Sequence, residues 1–279
     1  MLARCCSAAL QGLDARPVIV EVDLAPGLPG IQLVGLADKA IQESRERVRS
    51  ALRNSGFRGP LVRVVVNLAP ADLRKEGPAF DLPIALALLV ASGQLDRPRL
   101  NGLWCAGELG LDGSLRPCRG VLAMAELAFR LGATALVVPP GNADEAAMIQ
   151  GLTVRTAPDL RQLVEQLNGN RPFLRVCRSR PDSPPAPIAA IDASGQAGRA
   201  LALAAAGGHH LLLVGPPGCG KSRLAHQLPA LLPPLKQEEA LTIARIRSVA
   251  GEQQDPLDTH RKRPFRAPHH SCSTAALLG

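Results

Sequence analysis

The sequence contains no tyrosine, one tryptophan and five phenylalanines in 279 residues. A stacking platform for single-stranded bases needs successive aromatic faces, and this composition argues against one. Long apolar runs are also missing. The longest, Leu82 to Ala91 and Leu201 to Ala206, fall well short of the roughly 20 residues that cross a bilayer. Met1 to Leu10 holds one arginine, two cysteines and a short apolar run, too weak a pattern for a secretory signal. A cytoplasmic protein without membrane association is therefore expected. The seven cysteines are odd in number and contain no Cys-x-x-Cys pair, which gives neither a disulfide framework nor a zinc spacing. They read as small buried or reduced thiols. Cys5 and Cys6 would face opposite sides of any strand and would not converge on one ion. Acidic residues are outnumbered, 24 against 32 Lys and Arg, for a formal charge of +8; a basic surface permits attraction to nucleic acid without proving it.

What is present is an alternation of β-branched runs with helical periodicities from Pro17 to about Leu167, the mark of a mixed α/β domain. Val18 to Val22 and Ile31 to Val34 read as strands around the turn-rich Ala25 to Gly30. Ala37, Ala40, Ile41, Ser44, Val48, Ala51 and Leu52 recur at helical spacing, with Gly56 as a C-terminal stop. Arg45, Arg49 and Arg53 lie on the outer face beside Glu43 and Glu46, a pattern that suits a salt-bridged solvent face better than a DNA-reading helix. Strands at Val62 to Leu68, Leu103 to Ala106 and Ala135 to Val138, helices at Asp81 to Ala91 and Gly120 to Arg130, and a last strand and helix within Leu152 to Leu167 complete the domain. Composition then shifts from Asn168 to Pro187 to Arg, Pro, Ser and Asp, as in a linker. The expected organisation is a domain over 1–168, a linker over 169–189, and a second domain over 190–279. Arg171, Arg175, Arg178 and Arg180 in the linker could touch phosphates or simply keep it soluble.

Past the linker, Gly195 to Ala206 reads as a helix broken by Gly207 and Gly208, and His209 to Val214 reads as a buried strand. It runs into Gly215-Pro216-Pro217-Gly218-Cys219-Gly220-Lys221-Ser222, a full match to G-x-x-x-x-G-K-[ST], followed by a helical pattern from Ser222 to Leu228. Glycines let consecutive N–H groups turn inward around phosphates, and the following helix N-terminus adds its positive end. Lys221 supplies a charge for the β- and γ-phosphates, and the Ser222 hydroxyl is placed to ligate Mg2+ held with ATP. Cys219, at the helix N-terminus, is open to alkylation. Hydrolysis also needs an acidic residue closing an apolar strand and a group that orients water. Between Lys221 and Gly279 no apolar run ends in Asp or Glu. A motor core cut short is the expectation, with weak nucleotide binding, no turnover, and a P-loop strand whose apolar flanks lack neighbours.

Ala205 to Gly218, Leu231-Leu232-Pro233-Pro234 and Arg263-Pro264-Phe265-Arg266-Ala267-Pro268-His269-His270 closely resemble the YifB/ComM family of magnesium-chelatase-like AAA+ proteins. The resemblance implies an N-terminal ribosomal-S5/Lon-type α+β domain followed by the first part of a P-loop AAA+ α/β domain. It also implies a homo-hexameric ring and, in ComM members, ATP-driven branch migration on single-stranded or branched DNA, a helicase-like activity used in competence and recombination. The first domain is similar to the Lon peptidase domain as well, but Lys75-Glu76-Gly77-Pro78-Ala79-Phe80-Asp81 puts Ala79 at the nucleophile position. Pro117 to Leu122 puts Leu122 where the lysine base belongs. Both halves of that dyad are gone, so a non-proteolytic module is expected.

His209, His210, His269, His270 and Cys272 have no ligand spacing that would join them around a metal. His269 and His270 suit either a loop near nucleotide or pore, or a structural turn. Arg261-Lys262-Arg263 with Arg266 suits DNA phosphate contact or a solvated charge run. Two other readings compete with the DNA motor. One is a magnesium-chelatase ATPase subunit, which the S5/Lon-like first domain argues against; the other is a non-hydrolysing oligomerisation or binding fragment.

Overall fold

The computed structural model describes residues 1–173, 176, 195–252, 263–269 and 271–275. They belong to two compact units, Met1–Ser179 with Leu241–Pro256, and Arg180–Ala240 with Leu257–Gly279. Most of the Pro/Arg-rich linker lies outside the described residues, Arg175, Arg178 and Arg180 included. Arg171 is described, and it bonds Gln162 at 2.8 Å.

The first unit is a mixed α/β structure. Its elements are β1 (Leu2–Gln11), β2 (Asp14–Ala25), β3 (Gly30–Val34), α1 (Lys39–Asn54), β4 (Arg63–Ala69), α2 (Asp81–Ala91), β5 (Leu103–Cys105), β6 (Glu108–Leu109), β7 (Leu115–Arg116), α3 (Val121–Arg130), β8 (Ala135–Val137), α4 (Ala143–Ala146), β9 (Val154–Arg155) and α5 (Leu160–Leu167). Seven strands form one mostly parallel sheet in the order β3-β4-β2-β1-β5-β8-β9, while β6 and β7 pair separately. β1 and β2 are antiparallel over ten residue pairs, from Leu2 opposite Asp23 to Gln11 opposite Asp14. On its other side β1 runs parallel to β5, with Cys6 opposite Trp104. This central strand is not foreseen by the sequence pattern, because Ala, Cys and Ser carry little of the branched or aromatic bulk that marks strands. Small residues suit the place. Ala3, Cys5 and Ala9 enter one buried cluster while Ala8, with Cys6 and Leu10 packed beside it, enters a second on the other face.

The first cluster joins Val18, Val20 and Val22 of β2 and Val64, Val66 and Leu68 of β4 to the inner faces of α1 and α2. Every residue of α2 is buried, which explains why Asp81–Ala91 reads as a continuous apolar run rather than an amphipathic helix. α1 is amphipathic, burying Ile41, Ser44, Val48, Ala51 and Leu52 and leaving Arg45, Arg49 and Arg53 exposed. Asp38 caps it by accepting from the Ile41 N–H at 2.8 Å, and its second oxygen accepts from the Gly77 N–H at 3.0 Å. Between β3 and α1, Gly35 has φ +102°, and a Cβ there would lie 2.6 Å from the Leu68 carbonyl oxygen. Only glycine fits that approach.

Two charges are fully buried beneath this layer. The Lys75 ammonium donates to the Pro70 carbonyl; burial pulls its pKa below the usual lysine value, with Asp72 opposing. Asp81 accepts from the Ser44 hydroxyl, from Arg47 Nε at 2.6 Å and Nη2 at 3.1 Å, and from the Leu109 N–H at 3.2 Å. The hydrogen bond to Asp81 is the main reason the Arg47 pKa is raised. One carboxylate thus ties α1, the start of α2 and β6 together. Asp81→Ala leaves the Arg47 guanidinium without that partner, and urea denaturation should show a loss of about 3–5 kcal/mol; a loss under about 1 kcal/mol would show that the pair does not hold these elements.

In the second unit α6 (Gln196–Gly207) ends at Gly208, which has φ 65°. The His209 N–H closes the turn on the Ala204 carbonyl at 2.9 Å. The expected buried strand at His209 to Val214 is not formed. These residues are irregular, and Leu212 and Val214 are each 85% exposed. A strand exists only with a neighbour to complete its ladder, and no described strand flanks this segment. The apolar flanks are uncovered, as the sequence leads one to expect. α7 (Lys221–Leu231) follows; of α8 (Gln237–Ala250), only Gln237–Ala240 belong to this unit and Leu241–Ala250 belong to the first. At the start of α8, Glu239 reaches back to the Lys236 N–H at 2.9 Å, the acidic half of a capping box.

Candidate functional site

The motif loop leaves the irregular segment at Gly215, turns through Pro217 to Gly220 and enters α7 at Lys221. Gly218 and Gly220 have φ of 82° and 86°, conformations that side-chain-bearing residues rarely adopt. A Cβ on either would meet no protein atom within 4 Å. Their requirement is therefore conformational, and the space beside them is open. The N–H groups of Gly218, Cys219, Gly220, Lys221 and Ser222 make no hydrogen bond of ordinary length and angle to another described residue. The loop is thus a turn of unspent donors ending on a helix N-terminus, the arrangement that suits an anion.

Lys221 folds back across the loop. Its ammonium donates to the carbonyls of Gly215 at 2.8 Å and Pro216 at 2.7 Å and lies 3.5 Å from Cys219 Sγ. All eight motif residues except the half-buried Lys221 are exposed. The donor set fits a polyphosphate with its metal: main-chain amides, one ammonium, and the Ser222 hydroxyl at the first turn of α7.

The other candidate residues have contacts of their own. His269 Nδ1 lies 2.7 Å from the Ser271 hydroxyl, and the His209 ring folds back against Gly207. Arg261, Lys262 and His270 lie outside the described residues. Arg263 donates to the Pro233 carbonyl at 2.9 Å and reaches Glu239 at 3.5 Å, so its charge is engaged within its own unit; Arg266 is exposed. Among the described residues, no group of three or more His, Cys, Asp or Glu could hold a metal, and no helix is long and apolar enough to cross a membrane. Ala79, in the turn before α2, and Leu122, in the first turn of α3, belong to one buried apolar cluster. Neither side chain can exchange a proton.

Two features were missed by the sequence reading. One is the buried carboxylate of Asp81. The other is the stretch Leu241–Ala250 of α8, which belongs to the first unit and bonds to α3 through Ser248. Its only sequence signal was Leu241, Ala244 and Ser248 on one helical face.

A family model described as subunit ChlI of Mg-chelatase matches residues 20–142, and a second, magnesium chelatase subunit ChlI, matches 188–279. A protein named YifB from Salmonella typhimurium is 43% identical over 277 residues, covering 97% of this chain and 54% of the relative. Competence protein ComM of Haemophilus influenzae is 42% identical over 288 residues, covering 98% and 55%. The chain belongs to the YifB/ComM family. It spans about half the length of the YifB and ComM relatives it matches. Outside that family, the DNA repair protein RadA of Mycolicibacterium smegmatis is 37% identical over 156 residues, 54% of this chain and 32% of RadA.

Cysteine reactivity checks the burial pattern of this family member directly. Cys219 is exposed, whereas Cys5 and Cys105 are 1% and 0% exposed with sulfurs 3.2 Å apart, and burial pushes the Cys105 and Cys118 thiols up. Iodoacetamide at neutral pH should modify Cys219 first and reach Cys5 and Cys105 only after denaturation; early labelling of the buried pair would contradict the core described above.

Proposed function

We propose that this chain is the nucleotide-binding part of an ATP-driven motor of the AAA+ type. The observation that carries the reading is the run of unspent amides from Gly218 to Ser222, opened by two left-handed glycines and closed by the N-terminus of α7. In this reading the loop from Gly215 to Gly220 wraps the phosphates with main-chain N–H groups. Lys221, now on two carbonyls, would hold the β- and γ-phosphates, and the Ser222 hydroxyl would hold Mg2+. The bound magnesium nucleotide supplies a phosphoanhydride whose cleavage can drive movement. The first domain, residues 1–168, acts as a non-proteolytic module since Ala79 and Leu122 fill the dyad positions.

The substrate proposed for the whole protein is single-stranded or branched DNA, remodelled by a homo-hexameric ring in the cytoplasm. Its support is the +8 charge and the relatives named as a competence protein and a DNA repair protein. A second reading is favoured by a specific observation. Both family models carry the chelatase description, one of them over residues 20–142, so the first domain does not by itself decide against a magnesium-chelatase ATPase subunit. DNA separates the two: a DNA motor is stimulated by branched DNA and loses binding steeply as salt rises, and a chelatase subunit is indifferent to both.

Lys221→Ala tests the site itself. Titration with a fluorescent ATP analogue in Mg2+ should show affinity falling by at least about tenfold, some 1.4 kcal/mol, with the urea midpoint of the first unit unchanged. Equal affinity in the variant would place the nucleotide elsewhere.

A further inference from the structure

The N-terminus of α3 is already occupied by the chain itself. The Gly120 N–H donates to the Ser248 carbonyl at 3.0 Å and the Leu122 N–H points to the Ser248 hydroxyl at 3.4 Å. Nearby, the Glu145 carboxylate accepts from Asn142 Nδ2 at 2.6 Å. One turn earlier, Arg245 Nη2 lies 3.1 Å from the Glu126 carboxylate and Nη1 lies 3.5 Å from Asp14. Ala244 is 2% exposed and sits in the apolar cluster with Val121, Leu122 and Ala125, with Leu241 packed against it. Gly251, just past the helix, has φ 75° and lies against the Arg119 side chain. Small residue, arginine and serine at 244, 245 and 248 thus meet three different needs of one surface: close approach, a charge for Glu126, and a cap for α3.

We infer that the face formed by α3, Glu126 and the Asn142–Glu145 turn is a docking socket for an amphipathic helix, and that its occupant is the chain's own segment Leu241–Ala250. The first domain of this family member then serves as a receptor for a helix encoded beyond the P-loop. This role needs no proteolytic dyad and places Ser248 at the α3 turn where Leu122 stands. The inference does not depend on nucleotide binding. Charge and hydroxyl give the socket its register, while burial of Ala244 and Leu241 gives most of the attraction.

The test uses the whole chain with a site-specific protease sequence inserted between Ser183 and Pro184, cleaved after folding. The pieces 1–183 and 184–279 should co-elute on gel filtration as one species of the uncut size. Ala244→Glu should separate them, and Arg245→Glu should raise their dissociation constant about tenfold, with the paired Glu126→Arg exchange recovering part of the loss. That recovery cannot come from a variant that merely misfolds. Separation of the wild-type pieces, or co-elution unaffected by Ala244→Glu, would overturn the inference.

Discussion

Strand pairing decides which parts of this chain are structured. β1 lies fourth of seven in the sheet, where it pairs antiparallel with β2 on one side and parallel with β5 on the other, and both buried clusters take side chains from it. Removing its ladder would leave β2 and β5 as edges and split the core in two. The segment before the P-loop shows the opposite case. His209 to Val214 has the composition of a strand, yet no described strand flanks it, so Leu212 and Val214 stay exposed and the segment stays irregular. Hydrophobicity selects the segment, but ladder partners make it a strand.

Helices carry the polar business of the fold because their ends leave backbone groups unspent. Asp38 meets the first turn of α1, Ser248 meets that of α3, and Glu239 reaches back at the start of α8. The first turn of α7 is the contrast: among the described residues nothing meets its amides, and the lysine beside them is parked on carbonyls. A helix start whose first amides have no partner among the described residues, preceded by two left-handed glycines and a P-loop lysine, suits an external anion.

Much of the architecture was readable in advance where local pattern and tertiary demand agree. α2 was legible because a helix buried on all sides must be apolar throughout, and β2 and β4 because alternating valines face one core. The P-loop turn was legible because its glycine spacing encodes backbone conformation directly. Other features depend on partners distant in sequence. β1 is written in alanine, cysteine and serine, residues chosen for close packing between two layers. Asp81 gives no local sign that Ser44, Arg47 and Leu109 converge on it. Ser248 is an ordinary helical serine until α3, more than a hundred residues earlier, is brought beneath it.

The central claim is that the amides of the P-loop are the donors that grip a triphosphate. Amide hydrogen exchange on the full chain, with and without MgATP at a concentration that saturates a fluorescent-analogue titration, reads those donors one by one. Slowed exchange confined to Gly218 through Ser222 and the first turn of α7 is predicted, with the sheet of the first unit unchanged. Unaltered exchange at these residues while nucleotide is bound, or protection appearing only elsewhere, would contradict the account.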